Sequence, residues 1–232
     1  YQYINIIKSF ISENLKEVNN PFEIIEVINK IFFIDISFFS NVSTFITKEH
    51  LDKFYSFDPL TGLPNKKSFY AKLEEVLETT KDKKTGLIIL DVRRFTSIKE
   101  VLGFLKSDFL LKIIKDKLIL NLSETDYLAR TGFDEFSIIS QFDNNEEIIE
   151  KVKQISEVFS SPIILNDGEE VTITFNFGVS IYPDHATNID LLIENALMAL
   201  AISKKQKSNM LLYSKKLSEE LHNIFSIGNN LR

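Results

Sequence analysis

Cysteine is absent from the 232 residues, which removes disulfides, thiolate metal sites and cysteine nucleophiles and leaves packing alone to hold the fold. Long basic runs are missing too. The 27 basic residues are set against 33 acidic ones, a formal net charge of -6, which argues against nucleic acid as the main partner. The most apolar stretch, IFFIDISFF at 31–39, carries Asp35 in its middle and falls far short of the ~20 residues that a membrane-spanning helix needs. The chain start lacks the basic-then-apolar order of a secretion signal, so no membrane insertion and a cytoplasmic location are expected. Tyr1 stands where a Met would begin a chain, which suggests a piece of a longer protein. Tryptophan is absent, the three histidines (His50, His185 and His222) show no ligand spacing, and no internal repeat is visible.

What is present is a 44% hydrophobic, 26% charged sequence, enough to bury one large domain, or one domain plus an appendage. Apolar residues at helical spacing, among them Ile4, Ile7, Phe10, Ile11 and Leu15, predict a helical segment over 1–57. The loop chemistry of SFDPLTGLPN at 56–65 then marks a domain boundary near 57. Beyond it, KKSFYAKLEEVLETT reads as an amphipathic helix with Phe69, Leu73, Val76 and Leu77 on one side. GLIILDV at 86–92 reads as a buried central strand that delivers Asp91 at its C-terminal end. Then follow a helix over about 107–121, a hairpin over 127–139, a helix near 145–160 and a strand pair around 162–181. A helix near 188–205 and a short strand at 210–213 complete the set, and 214–232 reads as a further helix. Helices alternating with strands and hairpins predict an α+β fold, an α/β sandwich with a central sheet flanked by helices.

Two acids stand out. Asp91 at a strand end and Asp134 at a hairpin tip can meet across a sheet, and two such carboxylates are what Mg²⁺ asks of a protein when phosphates supply the remaining oxygens. Both also fit ordinary solvated loop acids, and spacing alone leaves the two readings open.

The order of motifs narrows the choice. DPLTGLPN at 58–65, LDVRRFTSI at 90–98, Gly103 with Asp108, RTGFDEF at 130–136 and GVSIYP at 178–183 together resemble the GGDEF domain family, the diguanylate cyclases, over about 58–213. The resemblance implies a sheet like that of polymerase palm domains. It also implies two domains meeting face to face, each with one GTP, to make cyclic di-GMP with metal assistance. Carried across by position, Asp91 is the strand-end metal ligand and Asp134 the acid that binds metal and supports catalysis. Asp108 matches the acid that hydrogen-bonds the guanine edge, Gly132 the first glycine of the signature, and Lys204 a lysine that contacts the triphosphate.

Several positions depart from the family pattern. Phe133 replaces the second signature glycine, where backbone must approach phosphate closely; a type II′ turn needs glycine only at its first central position, so the hairpin is expected to survive while its phosphate floor is obstructed. Lys99 stands in place of the guanine-binding Asn, and an ammonium only donates. Arg93 replaces a second acid and, two residues along an extended strand, shares a face with Asp91, where its charge is expected to fill a cation's place. Lys207 and Ser208 replace the Gly and Arg of the phosphate segment, which costs a bidentate clamp. In the family's product-inhibition motif Asp126 remains while Ser123 replaces the arginine. Arg130 is expected to pair with acids on its own hairpin.

The expectation is therefore a catalytically degenerate GGDEF domain, a regulatory and dimerisation module. The helical tail is expected to lead toward an EAL phosphodiesterase domain, GTP with Mg²⁺ is the ligand the resemblance implies for any binding that is kept, and an active diguanylate cyclase is the alternative.

Overall fold

A computed structural model describes residues 56–79, 82–206, 209–214 and 217. Nearly all of the expected N-terminal helical segment and C-terminal tail, and both Lys207 and Ser208, lie outside the described residues. The described residues belong to the second of two compact units of the chain, Tyr55–Arg232.

Helix α1 (Lys66–Thr79) is entered through Asn65, whose side chain accepts from the Ser68 amide at 3.1 Å, a cap that satisfies one orphan donor of the first turn. It buries Phe69 and Leu73, two of the four residues expected on its apolar side. Strand β1 (Lys84–Val92) is followed by α2 (Phe95–Leu102) and α3 (Phe104–Asn121). The sequence reading missed α2 and began α3 three residues late. Gly103 separates the two helices with φ 77, a left-handed conformation that glycine adopts without steric cost.

Strands β2 (Tyr127–Arg130) and β3 (Glu135–Phe142) form the expected hairpin, and α4 (Asn145–Val158) follows. The expected strand pair at 162–181 is three strands in two sheets: β4 (Ile163–Ile164) and β5 (Glu170–Val171) pair with each other, while β6 (Phe175–Tyr182) joins the main sheet. Helix α5 (Ile189–Gln206) and β7 (Met210–Leu212) complete the domain.

The main sheet has the order β2-β3-β1-β6-β7, with β1 at its centre. All neighbours are antiparallel except β6 and β7, which run parallel. The alternation of a strand explains why β1 reads as an unbroken apolar run. Ile88, Leu90 and Val92 face a core shared with Leu110 and Ile114 of α3 and Ile148 and Val152 of α4. Leu87 and Ile89 face a second core with Phe69 and Leu73 of α1 and Leu192, Ala196 and Leu200 of α5. The α+β sandwich expected from the sequence is the observed fold.

Helix α5 lies close on β6 at Gly178, where an added Cβ would sit 2.2 Å from the Ala196 carbonyl oxygen and 2.4 Å from the Leu200 nitrogen. Those are backbone atoms, so relief requires moving the helix. Gly178→Ala is expected to destabilise the domain by about 1–3 kcal/mol or more, seen as a lower urea midpoint with an unchanged slope.

Candidate functional site

Register brings the acids together at the C-terminal end of β1. Asp91 lies opposite Glu135 on one side and Asn176 on the other, and the Val92 amide donates to the Asp134 carbonyl at 3.1 Å. Burial raises the carboxyl pKa of Asp134 above its ordinary value, and the nearby charge of Asp91 raises it further. The two acids singled out from the sequence therefore share one electrostatic environment.

The cation beside them is Lys204 from the last turn of α5, whose Nζ lies 2.5 Å from an oxygen of the nearly buried Asp91 carboxylate. Arg93 does not take that place. Its guanidinium donates to the Asn209 side chain at 3.0 Å, and its amide to the Thr174 carbonyl at 2.8 Å. The long α5 lysine reaches across the strand ends, a contact between residues far apart in the chain that strand alternation alone does not reveal.

Among the described residues no group of three or more His, Cys, Asp or Glu side chains is gathered for a metal. Mg²⁺ is commonly held by one or two carboxylates with phosphate and water completing the shell, and Asp91 and Asp134 fit that donor chemistry once Lys204 leaves Asp91. When bound there, Mg²⁺ would neutralise charge on phosphate oxygens.

At the hairpin tip the expected type II′ turn is not found. The loop between β2 and β3 runs over four residues, 131–134, and Gly132 is not among the positive-φ residues, whereas a type II′ turn requires positive φ at its first central position. Glycine is demanded here by closeness instead: a Cβ at Gly132 would lie 2.9 Å from that of Glu135. The amides of Thr131 and Gly132 both donate to the Glu135 carbonyl, at 3.1 and 3.3 Å.

The loop presents Phe133 to the start of α2. Its ring meets Phe95 edge-on, with centroids 5.6 Å apart, and Lys99 Nζ lies 4.6 Å from its centroid. The same ammonium lies 4.4 Å from the centroid of Phe104, so one cation is held between two aromatic faces. Phe133 and Lys99 are thus a contacting pair, and Phe104 is a third member that sequence reasoning did not select. Asp108 lies half-buried in the second turn of α3, four residues beyond Phe104.

The family "Diguanylate cyclase, GGDEF domain" matches residues 55–210. The chain belongs to the GGDEF domain family. The chain is 32% identical over 152 residues to the diguanylate cyclase TpbB of Pseudomonas aeruginosa, covering 64% of this chain and 35% of that protein. It is 31% identical over 164 residues to the cyclic di-GMP phosphodiesterase NbdA of the same organism, covering 69% of this chain and 21% of that protein. The chain therefore spans about a third or less of these relatives. A solved structure of the GGDEF domain alone of TpbB (YfiN) superposes with a TM-score of 0.69 at 28% identity, covering 72% of this chain and 99% of that one.

Two further contacts shape this GGDEF domain. Arg130 does not pair with an acid of its own hairpin. It reaches Asp58, with Nη1 to Oδ1 at 2.9 Å, and its Nη2 donates to the Phe133 carbonyl at 2.5 Å. Asp58 also accepts from the Thr61 amide and hydroxyl, at 2.8 and 2.6 Å.

Asp126, the remaining acid of the expected product-inhibition motif, is enclosed. Its side chain is 1% exposed and accepts from Lys151 Nζ at 2.5 Å and from the Ser123 amide and hydroxyl at 2.9 and 2.7 Å. A lone helical lysine gave no sequence signal for this pairing. Among the described residues no helix is long and apolar enough to cross a membrane.

Burial raises the Asp126 pKa, but bonds from Lys151, Ser123 and Ser140 outweigh it and leave the pKa below the ordinary 3.8. A carboxylate whose folded pKa is depressed contributes stability that is complete above its unfolded pKa and lost as pH falls through the folded one. Asp126→Asn is therefore expected to cost about 1–3 kcal/mol at neutral pH, with the gap to wild type closing below pH 3.8. Urea denaturation of both proteins at pH 7 and in acid checks the sign.

Proposed function

We propose that this GGDEF domain does not cyclise GTP and serves as a regulatory and dimerisation module of a cyclic di-GMP signalling protein, acting on a neighbouring EAL phosphodiesterase domain. The observation that carries the reading is the clamp of Lys99 between Phe104 and Phe133. The family resemblance assigns position 99 to the guanine edge and position 133 to a close approach of backbone to phosphate. Here both positions are filled by side chains that hold one another. Lys204 on Asp91 adds to this, because the residue expected to meet triphosphate neutralises the expected metal ligand instead. The enclosed Asp126, bonded to Lys151, supports loss of product inhibition as well. The identity to NbdA, named a cyclic di-GMP phosphodiesterase, supports a role for the domain in a protein that includes phosphodiesterase activity.

One observation favours a second reading, in which GTP with Mg²⁺ still binds and acts as a signal or slow substrate. Asp91 and Asp134 share one electrostatic environment, and Asp108 stands half-buried on α3. Each missing transition-state contact lowers the rate about 10- to 1000-fold, roughly 1.4–4 kcal/mol apiece, so turnover needs repair at several positions.

Calorimetric titration of GTP with Mg²⁺, followed by assay for cyclic di-GMP, separates the readings. The wild-type chain is expected to form no product. Phe133→Gly with Lys99→Asn is expected to tighten GTP binding about tenfold or more by removing the clamp and restoring an amide at the base edge. Sustained formation of cyclic di-GMP by the wild-type chain overturns the proposal.

A further inference from the structure

A cavity of about 350 Å³ opens beyond the end of β1, lined by Arg93, Arg94, Ile98, Thr172 and Thr174. Its chemistry is one-sided: two guanidinium groups, two hydroxyls and one aliphatic wall, with no acid on the lining.

The backbone explains how two successive arginines come to line one space. On a continuing strand, residues 93 and 94 would point to opposite faces. Arg94 instead takes φ 55 and ψ 33, in the left-handed region, which turns the chain from β1 into α2 and leaves both residues on the cavity. The opposite wall is extended backbone in which Val171, Ile173 and Phe175 are buried while Thr172 and Thr174 alternate outward. Period two therefore puts the two threonines on one face.

The positive charge is available. Arg94 is exposed and its side chain makes no hydrogen bond or ion pair with the described residues, its carbonyl accepting from the Ile98 amide at 3.0 Å, and Arg93 spends one Nη on the neutral Asn209 amide. Of the acids close in sequence to either wall, Asp91 is engaged by Lys204 and Asp167 and Glu169 by Lys106, while the exposed Glu100 and Glu170, each two residues from a wall residue, are not on the lining. Two arginines with adjacent hydroxyl donors match the tetrahedral, multiply accepting surface of a phosphate group.

We propose that this cavity is an anion site that takes a small phosphate-bearing ligand through Arg93, Arg94, Thr172 and Thr174. The Ile98 wall suits an apolar stub on that ligand. The side chains differ from those of the base pocket, so phosphate binding here and GTP binding at Asp108 can each fail alone.

The test is a titration of the ¹⁵N-labelled protein with inorganic phosphate at constant ionic strength and without Mg²⁺, read by amide chemical shifts. Saturable shifts are expected at residues 93–98 and 172–174. Arg94→Gln is expected to weaken binding about tenfold, as loss of one charge-assisted contact predicts. Thr172→Val, at an exposed position, should weaken it by a smaller factor and guards against misfolding of the arginine variant. The ligand-free spectra of both variants should match wild type outside the altered segments. Absence of saturation, shifts centred on Lys204 and Asn209, or variants that titrate like wild type would each overturn the proposal.

Discussion

The geometry of the site hangs on Arg130. Its side chain is buried, and its fork joins two pieces of chain that share no secondary structure, the Asp58 carboxylate and the carbonyl of Phe133. A buried guanidinium requires partners of good geometry because its desolvation is otherwise uncompensated. Here one partner lies 72 residues away, so the loop at 58–65 and the signature hairpin are fixed together. The Arg130 amide adds a second tie by donating to the Pro64 carbonyl at 2.9 Å. With its carbonyl held, Phe133 has little freedom in where it sends its ring, and the ring goes to Phe95 and Lys99.

Around this anchor the acids singled out in the GGDEF domain meet charges of the same chain. The centre of the sheet still carries Asp91 to the strand end, and the hairpin still brings Asp134 beside it. Lys204 neutralises Asp91 and Lys151 neutralises Asp126, so two acids expected to face ligands face lysines of the same chain. Competition between a lysine and a metal for one carboxylate is set by charge and by the phosphate oxygens that a ligand brings with it.

Much of the fold was legible in the residues. Apolar patterning located β1 and β7 as continuous runs and the hairpin, α1, α4 and α5 from spacing and turn residues. Helix α2 was missed because it is only eight residues long, too short a run for the helical spacing of Phe95, Ile98 and Leu102 to stand out from a loop. The three-strand arrangement at 162–181 was read as a pair because β4 and β5 are two residues each. The four-residue loop was misread as a type II′ turn because glycine in a hairpin signals positive φ by default, whereas Gly132 is required for its closeness to Glu135.

The sequence by itself determined the family, the order of elements, the exclusion of thiol chemistry, and the identities of the acids and of the substitutions around them. Those follow from residue types and short-range spacing, which the chain carries locally. Only the tertiary structure decided the pairings: Lys204 rather than Arg93 on Asp91, Lys99 between Phe104 and Phe133, Arg130 on Asp58, and two arginines on one cavity. The reason is physical. A charge or an aromatic face chooses among all groups that packing brings within a few ångströms, and packing joins residues whose separation along the chain says nothing about their distance in space.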